Sequence, residues 1–304
     1  MDGVKKRKGV TLLITLSVIA AMLALVGILM GTLSSARAHA AHNSALLQAD
    51  LLRNDLSRLL ERYLKGHPSK ETLSTIYSTP LTLASKEGDF TLTANCKPFY
   101  DRIPLQWLAG NREDPKQRRR VLLALDLYQR LTDEAQIKDP DLLLEMLRRT
   151  LSGRHERFGI SDGFQRKENQ GIDRRSLQNL LDDYRFSADD PNVYRIEWER
   201  YFRLRSLGKE TVGLDSEYVA PELVAYLYDL DSNVVKEEYI PGKLKDFLKT
   251  LGEETRRYRW LFSPAPPKTA MNCRMSYGFR EGRYNVDFLY VNRRIEDFDV
   301  QAIP

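Results

Sequence analysis

Four consecutive cations, Lys5-Lys6-Arg7-Lys8, are followed by Gly9 and then by an uncharged apolar run that extends to Leu33. The run is roughly two dozen residues long. As one helix rising about 1.5 Å per residue it spans the ~30 Å hydrocarbon core of a bilayer. No second apolar run is long enough to bring the chain back. The cations hold the N-terminus on the cytoplasmic side, so everything after Leu33 lies across the membrane. A secretory signal peptide has a shorter apolar core and a small-residue cleavage site beyond it. Ala36-Arg37-Ala38 and Ala38-His39-Ala40 lie beyond the run, but the run is too long for such a core. A single-pass anchor fits both length and charge.

The helix is expected to continue past the membrane, since no proline interrupts the chain between Val10 and Gly66. After a small polar, alanine-rich patch, Leu52, Leu56, Leu59, Leu60 and Leu64, with Tyr63 beside them, recur at spacings of three and four and make one apolar face. Gly66-His67-Pro68 supplies the stop. A helix over 10–65 would be about 80 Å long at 1.5 Å per residue. Gly27 and Gly31 form a G-x-x-x-G within its apolar half, a spacing that lets two helix backbones pack closely, although glycine is also common in membrane helices.

Beyond residue 70 the pattern changes twice. Residues 73–77 read as a short helical or extended piece. Residues 80–85 and 89–94 alternate apolar and polar about a Lys86-Glu87-Gly88 turn, the signature of a hairpin. Residues 274–280 and 284–291 are again rich in strand formers, with Glu281-Gly282-Arg283 between them. The middle, 103–261, is helical in period. Helices are expected over 119–131, from Asp139-Pro140-Asp141 onward with Leu142, Leu143, Met146 and Leu147 inward and Asp141 as a loose cap, and over 174–184, 194–204, 221–229 and 244–251. Ser263-Pro264-Ala265-Pro266-Pro267 reads as a linker. Strands flanking a helical block imply an α+β chain. The expected order is a spine helix over 10–65, a discontinuous antiparallel sheet domain from 66–102 with 268–304, and a helical insertion over 103–267.

At 304 residues there is room for these modules. Of the net charge of +5, three units precede Val10, so the basic balance does not point to nucleic acid. Arg118-Arg119-Arg120 and Arg148-Arg149 are interrupted by acids and lack the interleaved aromatics of nucleic-acid binders, so they read as solvated helix faces. Cys96 and Cys273 are too few for a zinc site without further ligands. An oxidising compartment permits a disulfide between them, and the sequence does not show whether their Cα atoms meet. Both fall on the discontinuous sheet domain.

Catalytic machinery is not evident, and no enzyme activity is expected. His39 and His42 lie three apart without a third ligand, His67 belongs to the helix stop and His155 to a basic stretch. Gly208-Lys209-Glu210-Thr211 lacks the first glycine of a phosphate loop, and there is no G-x-S-x-G elbow. The segment 182–192 carries Asp182, Asp183, Asp189 and Asp190. Calcium takes six to eight oxygen ligands, often from clustered carboxylates. The spacing is not that of an EF-hand, and a turn with a solvated acidic face is the plain alternative.

The basic residues, Gly9 and the opening Val10-Thr11-Leu12-Leu13-Ile14 together resemble the class III leader of type IV pilins and secretion pseudopilins. The resemblance implies that residues 1–9 are a leader, that a prepilin peptidase cuts after Gly9 on the cytoplasmic side, and that Val10 becomes an N-methylated first residue. Most members carry glutamate at the fifth mature position, where this chain has Ile14. Minor pseudopilins of the K class in type II secretion typically lack that glutamate and are unusually large, and both features match. That class has a pilin-like sheet interrupted by a large α-domain, with helical segments comparable to 218–227 and 239–247 before its last strands. Its asparagine-containing segment has no clean copy here; Thr93-Ala94-Asn95 is nearest. Calcium binding in the α-domain of the class makes Asp182, Asp183, Asp189 and Asp190 its candidate ligands. The resemblance further implies a single-pass inner-membrane protein with a periplasmic C-terminal domain that initiates or caps a pseudopilus. Its implied partners are pseudopilins of the I and J classes, the prepilin peptidase and the inner-membrane assembly platform. Two other readings fit the anchor: a minor pilin of a type IV pilus or competence system, and a signal-anchored periplasmic enzyme or binding protein.

Overall fold

The structure, a computed structural model, describes residues 3–65, 69–84, 91–152, 171–207, 213–253, 257–263, 269–279, 282–291 and 293–303. The expected stop at Gly66-His67-Pro68, the turn at Lys86-Glu87-Gly88, the linker residues Pro264-Ala265-Pro266-Pro267, His155, Gly208-Lys209-Glu210-Thr211 and Glu281 lie outside them.

The first element is one helix, α1 (Gly3–Tyr63), which begins within the basic segment instead of at Val10. Its last third buries Ala49, Leu52, Leu56, Leu60 and Leu64. The four leucines recur every fourth residue, which keeps them on one face. Tyr63, expected on that face, is 54% exposed. In the last turn Tyr63 and Leu64 stand about 100° apart around the axis, and the cover reaches only Leu64.

Next comes α2 (Lys70–Ser78), where the Thr72 amide donates to the Ser69 hydroxyl as an N-cap. It resolves the ambiguous stretch 73–77 as helix and buries Leu73 and Ile76. Strands β1 (Leu81–Ala84) and β2 (Thr91–Pro98) pair antiparallel, Leu81 opposite Ala94.

The chain then enters the helical block through β3 (Ile103–Pro104) and a 3₁₀ turn, Leu105–Ala109. Helices α3 (Pro115–Ala135), α4 (Pro140–Leu151) and α5 (Arg174–Ala188) follow. Asp114, Asp139 and Asp173 cap them, each accepting an amide hydrogen bond from the first turn. The cap of α4 is therefore Asp139, which accepts from the Leu142 amide at 2.9 Å, and not Asp141. Leu143, Leu147 and Leu151 make its buried stripe, while Leu142 and Met146 are half-buried.

The helix expected over 194–204 is replaced by three short pieces. A 3₁₀ turn, Pro191–Arg195, leads to α6 (Trp198–Tyr201) and β4 (Phe202–Arg203). Phe202, Arg203 and Leu204 are buried one after another, which no single helix face allows. The backbone of β4 pairs in parallel with β3, which brings the block back to its entry point.

The remaining elements are β5 (Leu214–Asp215), α7 (Pro221–Tyr228), α8 (Ser232–Glu238), α9 (Leu244–Thr250), β6 (Phe262–Ser263), β7 (Met271–Phe279), β8 (Gly282–Val291) and β9 (Arg294–Ile303). Four of these were not singled out in the sequence: the short strands β5 and β6, α8, capped by Asp231, and β9.

The main sheet is antiparallel, in the order β1-β2-β7-β8-β9. Alternation sends Leu92, Ala94 and Cys96, then Met271, Cys273, Met275 and Tyr277, then Tyr284, Val286, Phe288 and Tyr290 to one buried face. These residues form a single core with the α1 leucines. The helical block has its own core, running from Ile103 to Leu261. The fold is thus α+β: a long N-terminal helix, a pilin-like antiparallel sheet packed on it, and a helical insertion between two strands of that sheet.

Candidate functional site

The first candidate surface is the N-terminal half of α1. Residues Thr15–Arg37 have a mean hydropathy of 2.4 and none is buried, so the segment is long and apolar enough to cross a membrane. Gly27 and Gly31 leave a smooth notch in it, since a Cβ built on either meets no atom within 4 Å. Gly9, Val10 and Ile14 lie in the helical backbone upstream of that notch.

The second feature is covalent. Cys96 and Cys273 are register partners on β2 and β7, with Cα atoms 4.0 Å apart, and form a disulfide. They are 177 residues apart in sequence. The bond therefore ties together the two strands between which the helical block leaves and returns.

The acidic residues of 182–192 do not form a cage. Asp190 is wholly buried, and its carboxylate accepts from the Lys138 amide at 2.8 Å, the Asn192 amide at 3.0 Å and the Tyr184 hydroxyl at 3.3 Å. Asp182 accepts from Tyr194 Oη at 2.6 Å and from Gln178 at 3.0 Å. Asp183 is exposed on α5, and Asp189 closes that helix in the left-handed conformation with φ 47°. Asp190 thus joins the end of α5 to the loop before α4, and Asp182 ties α5 to the 3₁₀ turn at Tyr194. Among the described residues no three of His, Cys, Asp and Glu come together as a metal site.

The third feature is the neck between sheet and insertion, residues 99–103. The Phe99 amide donates to the Ala270 carbonyl, the Asp215 amide to the Tyr100 carbonyl and the Ala220 amide to the Asp101 carbonyl, each at 2.9 Å. The Arg203 guanidinium lies 4.2 Å from the Phe99 ring centroid and 4.8 Å from that of Tyr100, and donates to the Phe99 carbonyl. The Asp101 carboxylate pairs with Arg102 at 2.5 Å. Burial pushes the Asp101 carboxyl up to about 6, against the opposing pull of Arg102, Arg203 and Lys97. Tyr218 crosses from the insertion into the sheet core and meets Tyr77 edge to face at 5.1 Å.

Beside the neck a cleft of about 910 Å³ separates the insertion from the outer face of the sheet. Arg174 of α5 bridges it, pairing with Glu199 on one side and reaching Asp287 of β8 at 3.6 Å on the other. Arg274 holds the same Asp287 at 2.8 Å. None of these neck and cleft contacts was legible beforehand, because most of the partners are a hundred or so residues apart and no local pattern connects them. The Phe99-Tyr100 pair ahead of Asp101 was the one available sign.

A long helix that is apolar and bare in its N-terminal part, and packed on an antiparallel sheet in its last third, defines a pilin-like architecture. No family model matches the sequence, and no curated protein matches it. Among solved structures, the fold is similar to one chain of the crystal structure of the GspK-GspI-GspJ complex from the type 2 secretion system of enterotoxigenic Escherichia coli. The likeness covers 90% of this chain and 99% of that chain, with a TM-score of 0.50 and 12% identity. At that identity it is a likeness of fold.

Proposed function

We propose that the chain is a minor pseudopilin of the K class, which initiates or caps the periplasmic pseudopilus of a type II secretion system. The observation that carries this is the architecture. A membrane-length helix continues into a sheet that is interrupted by a large helical insertion, and this plan is shared along nearly the whole length of a chain from such a complex. In this reading a prepilin peptidase removes residues 1–9, Val10 becomes the methylated N-terminus, and the apolar half of α1 holds the protein in the inner membrane before assembly. Pseudopilins of the I and J classes are its partners, recruited at the inner-membrane assembly platform. The insertion gives it bulk at the filament end.

The test is the intact mass of membrane-extracted protein from cells with and without the peptidase. Loss of residues 1–9 with one added methyl, dependent on the peptidase, is the expected result. An uncleaved N-terminus in cells with active peptidase would leave an anchored periplasmic protein instead.

A further inference from the structure

Two cores meet at the neck, where the contacts of Phe99, Tyr100, Asp101, Arg203 and Tyr218 join them. Asp101 sits at the centre of this joint, 6% exposed, on the short segment that links β2 to the helical block. The charges around it come from every side. Arg102 is its immediate neighbour, Arg203 approaches from β4 and Lys97 from β2. Asp215 of β5 shares its surroundings, since both carboxylates act on Tyr77 of α2 and on Tyr239 after α8. Arg200, Glu197 and Glu222 line the adjoining cleft. The Asp101 backbone carbonyl bonds to Ala220, so the residue also fastens a second pass of the chain. A carboxylate in such a place is paired with one guanidinium but has little access to water. Such a group is under pressure to become neutral.

We propose that Asp101 is a proton-controlled fastener: with its carboxyl protonated the helical insertion is held firmly on the sheet, and ionisation loosens the joint. The direction follows from burial. The closed neck takes up a proton that an opened, hydrated neck releases, so acidification favours the closed form. Tightness is complete below the ordinary carboxyl value of 3.8 and is lost as pH rises through about 6. The Cys96–Cys273 bond lies on the sheet side of the joint, so loosening frees the block to tilt without parting the strands that carry it.

Hydrogen exchange of the full chain in lipid nanodiscs, corrected for the intrinsic pH dependence of exchange, tests this. The reporters are the amides of Asp215 and Ala220, which cross the neck, with Val286 in the sheet as reference. Their protection is expected to rise between pH 7.5 and 4.5 relative to Val286. The rise over that window is expected to be on the order of twentyfold, since the gap between 3.8 and about 6 counts tenfold per unit but the opened neck is still largely ionised at pH 4.5. In Asp101→Asn protection should be high and independent of pH. Should that variant not fold, Arg102→Gln serves. Removing the guanidinium that favours the carboxylate should move the midpoint to higher pH. A flat profile in the native chain, a slope that survives in Asp101→Asn, or an unmoved midpoint in Arg102→Gln overturns the proposal.

Discussion

Among single residues, position 14 bears most on the pseudopilin role proposed above. A carboxylate within an apolar helix has to be paired or it costs several kcal/mol. In pilin-like filaments the glutamate at this position is understood to meet the N-terminal amine of a neighbouring subunit. Ile14 brings no charge to pair, so a subunit bearing it suits an end with no neighbour beyond it. In the proposed role, replacing Ile14→Glu should move the protein away from the filament end, giving cross-links to pseudopilins on both sides of it. Cross-linking mass spectrometry of assembled filaments reads this directly, and an unchanged end position would count against the argument. Asp190 teaches the opposite lesson about residues. Its type and neighbours suggested an ion, whereas the structure uses its carboxylate to accept two backbone amides and a tyrosine hydroxyl. A buried acid and a metal ligand look alike in sequence, because both are carboxylates near a turn. Only the donors distinguish them, and one of these, the Lys138 amide, comes from 52 positions away.

At the scale of elements, α1 carries two faces with separate tasks. Leu56 is fully buried against the sheet, while Leu47 and Leu51 on the other side are 71% and 60% exposed. Leu56→Ala should lower the stability of the sheet module by about 2–5 kcal/mol through lost burial and a residual cavity. Leu51→Ala should change it by less than about 0.5 kcal/mol, as surface substitutions do. Urea unfolding of the full chain in detergent, followed by tyrosine fluorescence, separates the two. Equal effects would mean that the helix does not dock as described. The buried stripe was legible because a four-residue period survives any context. The first hairpin was legible from alternation alone, and the start of α4 from Asp139-Pro140, whereas α3 begins at Pro115, four residues before its expected start. The 194–204 segment was not, since its apolar residues fit two periods. The choice was made by β3, a partner some hundred positions earlier. The strand β9 was missed for a related reason. Arg294, Glu296, Asp297 and Asp299 give it an edge strand's charges, which mask its alternation.

For the whole molecule, the flanking of a helical block by strands could be read from the order of patterns, but not how the block is seated. The neck, the Arg174–Asp287 bridge and the Tyr77–Tyr218 contact all join distant positions. The disulfide binds the two arms of the chain across 177 residues. In the chain-entropy account a loop of that size contributes about 5 kcal/mol by limiting the unfolded state. The double variant Cys96→Ser with Cys273→Ser should therefore unfold at a distinctly lower denaturant concentration than the oxidised protein. An unchanged midpoint would show that the strand ladder holds the arms together without it. A last consequence lies in the strand order. Because β2 and β7 are antiparallel neighbours that end side by side at Pro98 and Met271, the entire helical block stands where a simple sheet of this kind needs only a tight turn. The entropy of closing such a connection grows only with the logarithm of its length. A lineage can enlarge, trim or recast everything inside it and leave the five-stranded meander and its grip on the spine as they were.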